Sequence, residues 1–530
     1  MHSSLSIICL EKNEVMSVNV KTFAAIDVGS YELSMKIFEV SARKRIREID
    51  HIRHRIELGT ETYNTGKLSN EKVNELCRIL TEFQEIMKGY QVTAYKAYGT
   101  SAIREMKNRM IVLEQIKLST GIHIDVLSNS EQRFLDYKSI ASKGAFFDEA
   151  IASGTAIVDI GGGSIQVSLF DKGSLVTTQN LKLGILRLRE KLVSLQLKPS
   201  HYDEILEELV AGQMEVLEKL YLKGRKIENI IVVDEYISNS LGTGKGDAKE
   251  NYIEASTFEG FRKEIRSKSP SEMAREYHIP EESIFLLYIS TMLVQHILKL
   301  TGAGHLWIPG VTLCDGIAYE FAEQNKLYSS AHDFEKDIID CTQNISKRYM
   351  GSRKRGETLE KIATTIFDST KRVHGLGKRE RLLLRLAALL HDCGKYITMN
   401  GVGLASYEIV MATEIIGLSH TEREIVANVV KYNYLEFDYY EKMNRGTIID
   451  RETYLCIAKL TAILRVATGL DRSHKEKFRD IVAVHRGDEL ILTVNTTYDI
   501  TLERGLFAPR AAFFEEIFNI TPVIKQKRNV

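Results

Sequence analysis

Two segments of the chain are written on one plan. FAAIDVGSYELSMKIFEV (23–40) and AIVDIGGGSIQVSLFDKG (156–173) each run from an apolar stretch through an aspartate and a glycine turn into a second apolar stretch. In the first, Leu33, Met35 and Ile37 alternate with Ser34 and Lys36, the two-residue period of a strand. A paired strand–Asp–Gly–strand plan predicts a duplicated α/β domain with a cleft between its halves. The three glycines of the second turn let a phosphate approach backbone N–H groups, although Ile165 and Gln166 just behind them carry no charge.

The rest of the chain fits around those hairpins. A helix is predicted over 68–89, with Ser69 as N-cap, Val73, Leu76, Leu80, Phe83 and Met87 on one face, and Gly89 at its end. YKAYGTSAIREMKN (95–108) and IHIDVLSNSEQRFLDYKSIA (122–141) each read as strand, loop and helix start. NIIVVDEYISNSLG (229–242) reads as a buried strand into a polar loop, and GHLWIPGVTLCDGIAYEFAEQ (304–324) as strand, glycine turn and helix. Around 325–335 the helical period takes over and holds to about 475. Alternation then returns in IVAVHRGDELILTVNT (481–496), with Gly487-Asp488 as a hairpin turn. The expected division is an extension (1–21), two α/β domains (22–141 and 142–325), a helical domain (326–478) and a small α+β piece (479–530).

Composition narrows the function classes. The 71 basic and 71 acidic residues cancel, so any anion site must be local. Cys9, Cys77, Cys314, Cys341, Cys393 and Cys456 lie far apart without a CxxC pair, which argues against a disulfide framework or zinc cluster and suits a reducing cytoplasm. No apolar run reaches the roughly 18 residues that span a bilayer, so no membrane association is expected. MHSSLSIICLEKNEVMSVNV lacks a basic n-region and reads as an extension rather than a signal peptide, with Met16 an alternative start.

AAIDVGS (24–30), YGTSAIRE (98–105), SEQRFL (130–135) and VDIGGGS (158–164) together resemble, in order and spacing, the exopolyphosphatase/guanosine pentaphosphate phosphatase family. LLHDCGKYI (389–397) and LTAILRVATGLDRSH (460–474) resemble the HD-type helical domain attached to many members. The resemblance covers roughly residues 22–530. It implies duplicated actin-like ATPase (ribonuclease H-like) α/β domains, then an all-α HD-like domain and a small α+β piece. The implied activity is hydrolysis of a terminal phosphoanhydride in inorganic polyphosphate or guanosine pentaphosphate, with Mg²⁺, in the interdomain cleft. By the same likeness Asp27 and Asp159 would hold Mg²⁺ through water. Gly29, Ser30, Gly161, Gly162, Gly163 and Ser164 would donate to phosphate, Arg104 behind Thr100 and Ser101 would bind it, and Glu131 would activate or orient water. A homodimer is expected on family likeness alone.

The chain also departs from the family's pattern. Gly-Ser-Asn-Ser becomes Gly29-Ser30-Tyr31-Glu32, Glu-Glu-Ala-Arg becomes Glu131-Gln132-Arg133-Phe134, and Gly-Ser-Thr-Glu becomes Gly163-Ser164-Ile165-Gln166. Glutamine neither acts as a base nor neutralises Mg²⁺; Asp136 and Glu32 are the carboxylates placed to compensate. In the HD-like part His391-Asp392 remains, but GVGLAS (401–406) has no histidine and Thr468 stands at the later aspartate position, with Asp471 nearby. His374 is the other histidine at hand, and a structural, anion-guiding role is expected there rather than metal binding. RKRIREIDHIRHR (43–55) and KRVHGLGKRER (371–381) read either as solvated faces or as a track for a polyanion. No interleaved aromatic pattern marks dedicated nucleic-acid recognition. Two functions stay open: a phosphoanhydride hydrolase, and a phosphate-ligand or nucleotide-binding regulator that has lost turnover. An ATP-using kinase would need an adenosine signature, and none stands out.

Overall fold

A computed structural model describes residues 21–41, 45–196, 201–242, 251–277, 279–330, 332–443 and 449–527. Residues 1–20 of the expected extension, with Cys9 and Met16, lie outside the described residues, as do 43–44 of the first basic stretch.

The repeated sequence plan becomes two sheets with one logic. The first contains β1 (Lys21–Val28), β2 (Glu32–Ser41), β3 (Arg45–Arg55), β4 (Ala94–Gly99) and β5 (Asp125–Val126) in the order β3-β2-β1-β4-β5. The second contains β6 (Thr155–Ile160), β7 (Ile165–Asp171), β8 (Ser174–Leu181), β9 (Asn229–Val233), β10 (Tyr252–Glu254) and β11 (His305–Trp307) in the order β10-β11-β9-β6-β7-β8. In each, a central strand pairs antiparallel with its hairpin partner on one side and parallel with a later strand on the other. Asp27 sits opposite Ser34 and Tyr98, and Asp159 opposite Gln166 and Val233. The two aspartates therefore occupy equivalent places, near the ends of the central strands. Those strands are covered on both faces, which is why Phe23, Ala24, Ala25 and Ile26, and all of β9, read as unbroken apolar runs.

The helix predicted after β3 is Asn70–Gly89, with the Ser69 side chain accepting from Lys72 N and the expected apolar face buried. The segment after β11 behaves differently from its sequence neighbours. Its helix, Leu313–Gln324, grouped above with the second α/β domain, crosses back and packs on the first sheet. Phe321 stacks on Phe23 with ring centroids 4.0 Å apart, and Lys36 bonds Asp315 at 2.9 Å. The crossing brings it against the Asn129–Ala141 helix, where Gly316 meets the backbone of Leu135.

Helices Phe334–Arg348, Arg353–Ser369, Lys378–Leu390, Val402–Ala412, His420–Tyr432 and Arg451–Leu470 follow. They share one apolar core with part of the second sheet. The chain then forms β12 (Ile481–Arg486), β13 (Glu489–Asn495) and β14 (Thr521–Lys527), with a turn at Gly487 and the Thr501–Phe518 helix before β14. Two helices, within 281–301 and 451–470, are long and apolar enough to cross a membrane by length and composition, and both are largely buried inside the protein.

A Cβ added at Gly316 would lie 2.1 Å from Leu135 O, so Gly316→Val must force the two helices apart. We expect it to cost about 2–3 kcal/mol, in the range of overpacked cores, and to lower the thermal unfolding midpoint measured by circular dichroism.

Candidate active site

The two glycine turns meet across a cleft between the sheets. They are built alike: Gly29 N donates to Glu32 O at 3.1 Å, and Gly161 N donates to Ser164 O at 3.0 Å. The second turn is held from behind, because the carbonyls of Gly161 and Gly162 accept the amides of Ile185 and Leu186 at 3.1 and 3.0 Å. Gly163 O accepts from Arg187 Nε at 3.0 Å. With the carbonyls engaged, the Gly162 and Gly163 amides have no partner among the described residues; Gly162 lines the cleft and is open to an anion, whereas Gly163 is buried behind it. Gly184 has to be glycine: a Cβ there would stand 2.3 Å from Gly162 O.

A cavity of about 160 Å³ lies between the turns. Asp27, Gly29, Ser30, Thr100, Ser101, Asp159, Gly161, Gly162 and Ser164, all expected from the sequence, line it. Gly163 abuts the Tyr63 and Ser101 hydroxyls, which form a triangle with Ser30: Ser30 Oγ lies 2.7 Å from Tyr63 Oη and 2.8 Å from Ser101 Oγ, and Tyr63 Oη lies 2.6 Å from Ser101 Oγ. Arg187 stacks on the Tyr63 ring at 4.2 Å and pairs with Glu105 at 2.9 Å, tying the second turn to the first domain. Tyr63 and Arg187 carry no motif, so their sequence gave no signal.

The first turn of the Asn129–Ala141 helix redistributes the expected roles. Glu131, expected to orient water, closes a capping box: its Oε2 accepts Ser128 N at 2.9 Å while Ser128 Oγ accepts Glu131 N at 3.2 Å. It does not line the cleft. Arg104, expected on phosphate, donates to Leu127 O at 2.7 Å and lies 3.4 Å from Gln132 Oε1; it lines a neighbouring cavity rather than the cleft. Gln132 and Asp136 face the cleft instead. Their spacing of four puts them on one helix face, a signal the sequence did contain. Between them Arg133 is buried, donating from Nε to Gln166 Oε1 at 2.9 Å and pairing with Glu414 at 2.7 Å. Gln166 thus serves a guanidinium as a neutral acceptor. Tyr31 turns away from the cleft into the core of the second domain, with its hydroxyl 3.2 Å from Ser283 Oγ. Glu32 lies beside Glu235, and burial followed by that neighbour's charge raises its pKa.

The carboxylates in the cleft are electrostatically unsettled. Burial, then the charges of Glu235 and Asp159, pushes Asp27 up to about 7. Burial, then the charges of Asp159 and Asp27, raises Asp136, and burial raises Asp159. Asp27 Oδ1 and Asp136 Oδ2 are buried without a partner. Orphaned carboxylate oxygens in a desolvated, mutually repelling group fit a divalent cation. Among the described residues no three His, Cys, Asp or Glu side chains gather into a complete ligand set, and Mg²⁺ characteristically takes one or two carboxylates and fills the rest with water and phosphate. Asp234 is different: its oxygens accept Ile237 N and Ser290 Oγ at 2.8 and 2.7 Å, a helix cap at the cleft floor.

In the helical region, Arg355 lies between the remaining acids, 3.3 Å from Asp392 and 3.2 Å from Asp471, with Lys395 also on Asp392 at 3.2 Å. Burial lowers the pKa of His391, whose Nδ1 lies 2.8 Å from Ala388 O. An arginine stands where clustered ligands would hold a metal. His374 is a satisfied core residue, bonded to Phe367 O and Leu376 N. Four arginines of the basic stretches are paired with acids: Arg53 with Glu235, Arg55 with Glu282, Arg379 with Glu422 and Arg381 with Asp368.

The sequence matches the family model for the Ppx/GppA phosphatase family over residues 36–278 and the model for domain III of that family over 340–505. The chain belongs to the Ppx/GppA phosphatase family. A Vibrio atlanticus guanosine-5'-triphosphate,3'-diphosphate pyrophosphatase is 19% identical over 432 residues, covering 78% of this chain and 81% of the relative. A Fusobacterium nucleatum bifunctional 3-dehydroquinate synthase/phosphatase is 24% identical over 174 residues, which is 32% of this chain and 26% of the relative's length. The exopolyphosphatase structure from Cytophaga hutchinsonii superposes with a TM-score of 0.50 at 17% identity, covering 58% of this chain and 100% of that one, and shows the shared fold.

Raised carboxylate pKa values have a definite sign in stability. Asp27 binds a proton more tightly folded than unfolded, so its contribution is fully present below the unfolded value near 3.8 and is lost as pH rises through about 7. We expect the unfolding midpoint without divalent cations to fall between pH 5 and 8. Asp27→Asn should remove part of that fall, and Mg²⁺ should raise the midpoint more at pH 8 than at pH 5.5.

Proposed function

We propose that this protein hydrolyses the terminal phosphoanhydride of inorganic polyphosphate or of guanosine pentaphosphate in the cleft between its two α/β domains. The observation that carries this reading is the 160 Å³ cavity, lined by Gly162 with its unpartnered amide and by Asp27 and Asp136, each with an orphaned carboxylate oxygen. That space suits one terminal phosphoryl group and a water better than the interior of a chain, which favours attack from the end.

The Gly162 amide, with the Ser30 and Ser101 hydroxyls, would bind the equatorial phosphate oxygens and stabilise their charge in the transition state. Asp27 and Asp159 would hold Mg²⁺, which supplies positive charge against the phosphate. Asp136 takes the role expected of Glu131. It faces the cleft, has an unpartnered oxygen and, in its deprotonated form, can accept a proton from water. Gln132, one turn before it, can orient that water through its amide but cannot take the proton.

A second reading is a binding protein without turnover, favoured by the glutamines Gln132 and Gln166, both on the cleft wall. Phosphate release from tripolyphosphate and guanosine pentaphosphate with Mg²⁺ separates the two. The hydrolase reading expects release, a fall on the order of 10²–10⁴-fold in Asp136→Asn, and a rate within a few-fold of wild type in Glu131→Gln. Glu131→Gln should instead cost about 1 kcal/mol of stability by weakening the helix cap. Binding without release by folded protein would leave the binder.

A further inference from the structure

A second cavity, of about 590 Å³, lies at the seam between the first α/β domain and the helical region. Arg104, Arg109 and Arg423 line it. Their hydrogen bonds go to neutral acceptors: Arg104 to Leu127 O and Gln132 Oε1, Arg109 to Arg104 O, and Arg423 to His420 Nδ1. Arg423 Nε is buried with no partner. The two acids on the wall are already engaged, Glu131 in its capping box and Glu414 with Arg133 at 2.7 Å. Partly buried guanidinium groups that are not paired with carboxylates lack the counter-charge that normally settles them, and an oxyanion supplies it in a matching planar geometry.

The backbone reinforces the same sign. Two 13-residue helices, Asn129–Ala141 and His420–Tyr432, both begin at this cavity. Their N-caps are joined, Ser128 Oγ donating to Leu418 O at 3.3 Å and Gly417 N to Ser130 O at 3.2 Å. Two positive helix ends therefore point into one space that three arginines share. The cleft is the opposite case, ringed by Asp27, Asp136 and Asp159. The first turn of the Asn129–Ala141 helix separates the compartments, with Gln132 on the cleft side and Arg104 on the seam side.

We propose that the seam cavity is a second anion site, one that takes a multiply charged phosphate compound without a divalent cation. It is separate from the cleft, whose carboxylates repel the same ligand when no cation is present. Binding at the seam also touches Arg104, whose contact with Gln132 carries the occupancy of one site to the wall of the other.

The test is calorimetric titration of the full chain with tripolyphosphate in EDTA, where phosphate release is off. Wild type and Asp27→Asn are expected to bind alike, and Arg109→Ser/Arg423→Ser at least tenfold more weakly, with affinity falling as salt rises. Hydrogen exchange on wild type gives a reading that needs no variant: tripolyphosphate should protect segments 104–110 and 418–424. No binding by wild type in EDTA, equal affinity in the double variant, or protection confined to 159–164 would overturn the proposal. Loss of the hydrolase reading with this binding intact would leave the seam site standing.

Discussion

The structure turns on a conflict built into its core: carboxylates are held at the ends of buried strands, close enough to repel. Asp27 and Asp159 sit near the ends of β1 and β6 because the two hairpins repeat one geometry, and Asp136 reaches them from the Asn129–Ala141 helix. Burial raises their pKa values before any neighbour is considered, and their mutual charge raises Asp27 and Asp136 further. A fold seeking only stability would place apolar groups there. Retaining the acids makes sense where a cation and a phosphate enter together and cancel the charge.

The surrounding structure fixes the geometry of that conflict. Arg187–Glu105 and Arg189–Glu57 join the domains on one side of the cleft, and Arg53–Glu235 and Arg55–Glu282 on another. The hydroxyl triangle of Ser30, Tyr63 and Ser101 seats the glycine turn against the first domain. The returning Leu313–Gln324 helix presses the Asn129–Ala141 helix, and with it Asp136, towards the cleft. In the helical region Arg355 between Asp392 and Asp471 resolves a comparable cluster with an internal cation. One acid cluster is left open and the other is closed by the chain itself.

The fold was legible because its signal is local and repeated: strand, aspartate, glycine turn and strand, twice, with apolar periods on either side. The aspartates, glycines and serines of the cleft were legible for the same reason. The roles of the side chains at the helix start, 128–136, were not, because a motif aligned by residue type does not say which side chain caps and which faces inward. Ser128 with Glu131 spells a capping box as clearly as it spells a family motif, and the cap takes the glutamate. That rotates Gln132 and Asp136 into the cleft and leaves Arg104 at the seam. Arg133, Tyr63 and Arg187 were out of reach because their partners lie far along the chain, at Gln166, Ser30 and Glu105.

The central claim is that buried, partly protonated carboxylates form a cation-dependent phosphate site, and proton release on cation binding tests it most directly. Mg²⁺ titrations in buffers of different ionisation enthalpy give the number of protons displaced. At pH 6.5, below the raised value of Asp27, the account expects net release approaching one proton per Mg²⁺ bound, declining towards zero by pH 8.5 and reduced in Asp27→Asn. Binding of Mg²⁺ at pH 6.5 with no proton released, or no change in Asp27→Asn, would contradict it.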